Sequence, residues 1–167
     1  MFEYPVLMIF PVAMAFAGAM DFFTMTIPNR VSILLIGAFA VAAVVAGMPL
    51  TAVANHVLAG ILLLACGIVM FSRGWLGGGD AKLLAAAALW IGFDNLFIYL
   101  LQVTMLGGLL ATTLMGFRGF TLPVRFTAEE WVNRLHKADG GIPYGIAIAG
   151  AALWVYPSTH WFLALST

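Results

Sequence analysis

Hydrophobic positions in this chain fall into long unbroken runs rather than alternating or one-sided patterns. Apolar stretches bounded by charge or by Gly/Pro punctuation predict membrane spans near residues 4–22, 31–48, 54–71, 79–93, 95–116 and 142–163. A span of about 20 residues crosses the hydrocarbon core of a bilayer, so six of them account for most of the 167 residues. The fold class read from this pattern is all-α: a polytopic membrane protein of six transmembrane helices, forming a single integral domain over residues 1–167. The first run ends in small residues, as signal peptides do. It lacks a basic start and runs into Asp21, so it is read as a retained first helix.

One stretch departs from this pattern. Thr127 and Glu130 fit a capping box, Ala128, Trp131, Val132 and Leu135 share one helical face, and Glu130 and Arg134 are four apart on the polar side. Gly140 and Gly141 end the pattern. It predicts a short helix over 128–138, lying on the cytoplasmic surface and stapled there by Trp131.

Composition sharpens the assignment. The chain is 63% hydrophobic and 8% charged, with a mean hydropathy of +1.07. Soluble domains carry roughly a quarter charged residues. Seven acidic and seven basic side chains cannot coat a water-soluble domain of this size, and a net charge of zero offers nothing to nucleic acid. The basic residues also give an orientation. Arg30 lies in the first connection, Arg73 and Lys82 flank the third, and Arg118, Arg125, Arg134 and Lys137 lie in the fifth. The termini and the second and fourth connections have none, which predicts loops one, three and five in the cytoplasm and both termini outside, in the inner (cytoplasmic) membrane of the cell.

No metal or cofactor is expected. Cys66 is the single cysteine, and His56, His136 and His160 are scattered without metal-ligand spacing. Neither H-E-x-x-H nor G-x-S-x-G occurs.

Charges within or beside spans are costly and so are functional questions by default. Three qualify: Asp21, Asp80 and Lys82. Asp94 falls in the short outer loop and reads as a helix cap. Asp21 ends the first span, where an acid is opposed by the negative end of the helix dipole. Asp80 follows Gly77-Gly78-Gly79 and opens a helix; a simple N-cap is the plain reading. Length argues for more, because Ala81 to Phe93 makes only about 20 Å of helix against a core of about 30 Å. A recessed carboxylate behind three glycines implies a wet cavity or a closely approaching chain. Lys82 either snorkels to the surface or holds Asp80 ionised. Pro28 and Asn29 start the second helix, and Gly107, Gly108, Gly145 and Gly150 read as close helix packing.

Both aspartates thus come to the cytoplasmic ends of their helices, where two carboxylates can converge on one water. One takes its proton while the other, protonated, polarises a scissile carbonyl, the chemistry of an aspartic protease. A proton-coupled transporter subunit relaying protons through Asp21 and Asp80 is the alternative, although transport sites are expected near the midplane. A third reading is a non-catalytic assembly subunit.

The residues also resemble a family. Asp21-Phe22-Phe23-Thr24-Met25-Thr26-Ile27-Pro28-Asn29 is similar to the D-x5-IPN signature of type IV prepilin peptidases, and Gly77-Gly78-Gly79-Asp80-Ala81-Lys82 to their GxGD motif. Ile142-Pro143-Tyr144-Gly145 resembles their PYG segment. The resemblance implies catalytic roles for Asp21 and Asp80, with Ile27, Pro28, Asn29, Gly77, Gly79, Lys82, Pro143, Tyr144 and Gly145 as supporting motif residues. It implies removal of the leader peptide from prepilin or pseudopilin substrates, which enter through the membrane, at its cytoplasmic face. The long form of the family carries a cytoplasmic insert with paired CxxC motifs that goes with N-methylation. This sequence lacks it and looks like the compact type that serves Flp/Tad pili, so methyltransferase activity is not expected.

Overall fold

The computed structural model describes residues 3–120, 129–137 and 140–161, with side chains from Met8 onward. It is all-helical over these residues: seven α-helices, one short 3-10 turn and no strand. The helices are α1 (Glu3–Thr24), α2 (Asn29–Val45), α3 (Leu50–Ser72), α4 (Gly78–Ile91), α5 (Leu96–Arg118), α6 (Glu130–His136) and α7 (Tyr144–Val155).

α4 is the hub. At 14 residues it is about 21 Å long, and every residue from Leu83 to Ile91 is buried. It packs most extensively on α3, then on α2 and α7, while α1 and α5 both pack on α7. Its alanines allow this, because small side chains let neighbouring backbones approach closely where no hydrophobic effect drives association. Larger side chains fill the C-terminal end of α4. The Trp90 ring meets Phe10 at 5.3 Å and Trp161 at 5.5 Å, and its indole N–H donates to the Leu35 carbonyl at 2.9 Å.

The same end shows how so short a helix is terminated. Gly92 has φ +78°. A Cβ there would lie 2.9 Å from the His56 ring, whose Nδ1 is 2.8 Å from the Leu89 carbonyl. His56 therefore meets a carbonyl that the end of α4 leaves unpaired. Asn55 accepts the Phe93 N–H at 2.8 Å. Asp94, expected as a cap, instead has a carboxylate oxygen accepting from Asn55 at 3.4 Å.

α3 and α5, each 23 residues and with apolar windows of mean hydropathy 2.2 and 1.7, are the two described helices long and apolar enough to cross a membrane alone. Only 22% and 17% of their apolar windows are buried inside the protein. The described parts of α1 and α2 are shorter apolar helices. The sixth expected span is interrupted within its apolar run, with His160 and Trp161 helical again beyond the break. α7 stops at Val155 and a 3-10 turn covers Tyr156–Ser158, because Pro157 removes a donor and blocks continuation of the helix. The surface helix over 128–138 is narrower as well: α6 starts at Glu130, with Glu129 at its cap position. Thr127 of the expected capping box lies outside the described residues.

Candidate active site

The end of α1 is built to reverse the chain. The Thr24 hydroxyl donates to the Met20 carbonyl at 2.6 Å and lies 2.8 Å from that of Thr26. Met25 then adopts φ +55°, the one positive φ outside glycine among the described residues, and its N–H donates to the Asp21 carbonyl at 2.8 Å. A left-handed residue of this kind costs about 1–2 kcal/mol. It turns the segment Thr26 to Pro28 back into the bundle, and Pro28, extended at φ −62° and ψ 134°, leads into α2.

Ile27 is the centre of that return. A Cβ on Gly79 would lie 3.2 Å from the Ile27 Cβ, and one on Gly145 would lie 2.7 Å from its Cδ1. One side chain therefore touches the first turns of both α4 and α7, and each turn has a glycine at the point of contact. This joins three segments that are 52 and 66 residues apart in sequence, from 27 to 79 and from 79 to 145.

Asp21 is 4% exposed and its Oδ2 accepts the Gly145 N–H at 2.7 Å. The sequence left this carboxylate facing the negative end of its own helix. The fold brings the positive N-terminus of α7 against it. Asp80, 8% exposed, is the third residue of α4 rather than its cap, a position held by Gly77. Its Oδ2 turns back so closely on Gly77 that a Cβ there would sit 2.9 Å away. Asp80 follows directly on Gly79, which meets the same Ile27 side chain as Gly145 does, and its Oδ1 is buried without a hydrogen-bond partner among the described residues. Two buried carboxylates, the end of one helix and the beginnings of two others thus share one small space.

The supporting residues divide. Lys82 does not turn to Asp80: its ammonium donates to the Asn29 Oδ1 at 2.9 Å, tying the start of α4 to the start of α2. Pro143 is fully buried at the entry to α7. The Tyr144 ring lies against Gly107 of α5, 3.4 Å from where a Cβ would be, and Gly150 meets Leu106. Gly108, expected at a helix contact, has open space beside it.

Other neighbours of the site are not evident from sequence. α6 is held over the end of α1: Arg134 donates to the Phe23 carbonyl at 3.1 Å, and the Trp131 ring lies 5.4 Å from Phe22 and 5.9 Å from Phe23. Arg118 fixes α6 from the other side, donating to the Leu135 carbonyl and the Gly141 carbonyl, each at 2.8 Å. In sequence Arg118 is only one more topology charge. A base at a helix end is a general signal for carbonyl binding, but nothing local names its partners.

A model of the type IV leader peptidase family matches residues 8–112, well over half of the chain. The chain therefore belongs to that family, and is a peptidase of the prepilin type whose apolar helices fit a membrane protein. The match takes in Asp21, Ile27 to Asn29 and Gly77 to Lys82, while Pro143 to Gly145 lie beyond it. No curated protein and no solved structure matches significantly.

Proposed function

We propose that the protein is an aspartic endopeptidase that removes the leader peptide from prepilin-like proteins, with Asp21 and Asp80 as its catalytic pair. The observation that carries this reading is that two buried carboxylates lie where Ile27 joins the end of α1 to the first turns of α4 and α7, with Asp21 accepting the Gly145 N–H. One carboxylate, ionised, takes a proton from water as the water oxygen attacks the scissile carbonyl. The other, protonated, donates to the carbonyl oxygen, giving a neutral tetrahedral gem-diol. As the C–N bond breaks, a carboxyl delivers a proton to the leaving amine. Close carboxylates share one proton in the resting state, so each needs the other.

The same reading includes six spans in the inner membrane, a site at the cytoplasmic face and substrates that enter laterally from the bilayer. The lone Cys66 leaves no CxxC pair in this sequence, which supports the compact Flp/Tad type without N-methyltransferase activity. The test is direct. Purified protein is incubated in liposomes with type IV prepilin precursors, and mass spectrometry is used to look for mature chain and free leader. Failure to shorten any of a panel of precursors would remove the proposal.

Topology has its own test. Single cysteines introduced into loops one, three and five in a Cys66→Ser background are expected to be shielded from an impermeant maleimide added outside intact cells. Cysteines at both termini should label. The motive is the seven-to-zero distribution of Lys and Arg. A shielded C-terminus would overturn the six-span orientation and put the aspartates on the opposite face.

A further inference from the structure

α2 and α3 both pack on α4 but scarcely on each other, which leaves a groove of about 1150 Å³ between them. Its floor is the α4 face bearing Ala85, Ala86 and Leu89. Ala40 of α2 and Ile61 of α3 stand in its walls, and all but three of its lining residues are apolar or glycine. The exceptions are Asn29, Ser32 and Lys82, together at the end nearest the aspartates. The other end is marked by Met48 and Leu50.

We infer that this groove is the docking site for the apolar helix of the substrate, seated with its N-terminus at Asn29, Ser32 and Lys82. The inference deepens the peptidase reading above and rests on it. Size is the first argument. A helix is about 10–12 Å across, and half of that cross-section over roughly 25 Å of groove is about 1000–1400 Å³. A half-embedded helix fills the space. The alanine floor lets its backbone come close.

The polar end is the second argument. A helix that begins at the membrane interface has four N–H groups without intrahelical partners. Asn29 and buried Ser32 offer acceptor oxygens there, and the Lys82 ammonium can donate to carbonyls of the chain as it leaves the helix. Continuity with the site is the third. Lys82 and Asp80 are two residues apart, about 200° around α4, so they lie on opposite sides of its first turn. A chain leaving the groove must cross about one helix width of 10 Å, or roughly three extended residues, to reach the carboxylates. The groove thereby fixes which bond is cut: one about three or four residues before the apolar helix begins.

The test uses full-length protein carrying Asp80→Asn and Cys66→Ser, with Ala40→Cys or Ile61→Cys added, and a type IV prepilin precursor with one cysteine in the middle of its apolar segment. Oxidation should cross-link the precursor to both groove positions. It should not link to Leu109→Cys, on the exposed face of α5. With Asp80 intact, the groove-filling variant Ala40→Trp should lower cleavage of the same precursor at least about tenfold, chiefly through KM, whereas Leu109→Trp should not. Ala40 is exposed, so this change adds bulk to the groove rather than to the core. Cross-linking to α5, cross-linking to neither position because the groove holds only phospholipid, or unchanged cleavage by Ala40→Trp would each overturn the inference. If the unsubstituted enzyme cuts the precursor, such a result removes the groove alone. If it cuts nothing, the peptidase reading falls with it.

Discussion

Asp80→Asn and Asp21→Asn are each expected to slow leader removal by about 10²–10⁴-fold, while the protein still inserts and folds. That range corresponds to about 3–5 kcal/mol of activation free energy. Asparagine has nearly the same shape as aspartate, and at position 21 its carbonyl oxygen can still accept the Gly145 N–H, so the hydrogen bond that ties α1 to α7 survives. What is lost is the ability to take or give a proton. In the proposed mechanism the two carboxyls share one proton, so the double variant should be little slower than either single one. The measurement is single-turnover cleavage of a prepilin precursor, with folding followed by thermal unfolding in detergent. A well-folded single variant that keeps a tenth or more of the rate, on the scale such catalysts lose, would remove its aspartate from the pair. A scaffold or packing role predicts no such loss, since the substitution leaves the contacts in place.

The second large effect is expected at a residue that bears no chemistry. Gly145→Val should cut kcat/KM by about 10²-fold or more, because displacements of about 1 Å at a reacting centre cost that much. A Cβ at this position would lie 2.7 Å from the Asp21 Oδ2, 2.7 Å from the Ile27 Cδ1 and 2.9 Å from the Asp21 Cβ. None of these can simply swing away, since Asp21 and Ile27 are both held between helices. The start of α7 must move off, taking the Gly145 N–H from Asp21 and loosening Ile27 from Gly79. Overpacking of this kind also destabilises by about 1–3 kcal/mol, so unfolding temperature should fall together with activity. Kinetics at a temperature where the variant is fully folded separate the two. A wild-type rate there would show that the contact between α1 and α7 does not set the geometry of the carboxylates.

Much of this protein follows from local sequence, and for clear reasons. Unbroken apolar runs make helices, because a backbone in lipid must satisfy its own hydrogen bonds. The boundaries at Pro28 and at Gly77 follow from the chemistry of those residues, and Asp21 and Asp80 stand out because buried charge is costly. Other features depend on what comes from elsewhere in the chain. Lys82 could have served Asp80, yet Asn29, 53 residues earlier, receives its proton donor. Asp94 has the composition of a cap, but Asn55 of α3 reaches it. The length of the last apolar run does not reveal that Pro157 shortens α7. Above all, the sequence determined by itself which carboxylates sit at helix ends, since that depends on spacing along one chain. That those ends meet was decided only by tertiary packing. Ile27 fits against Gly79 and Gly145 at once, and the N-terminus of α7 supplies the N–H that Asp21 lacks on its own helix. Contacts between residues 124 apart depend on shape in three dimensions, which no local pattern encodes.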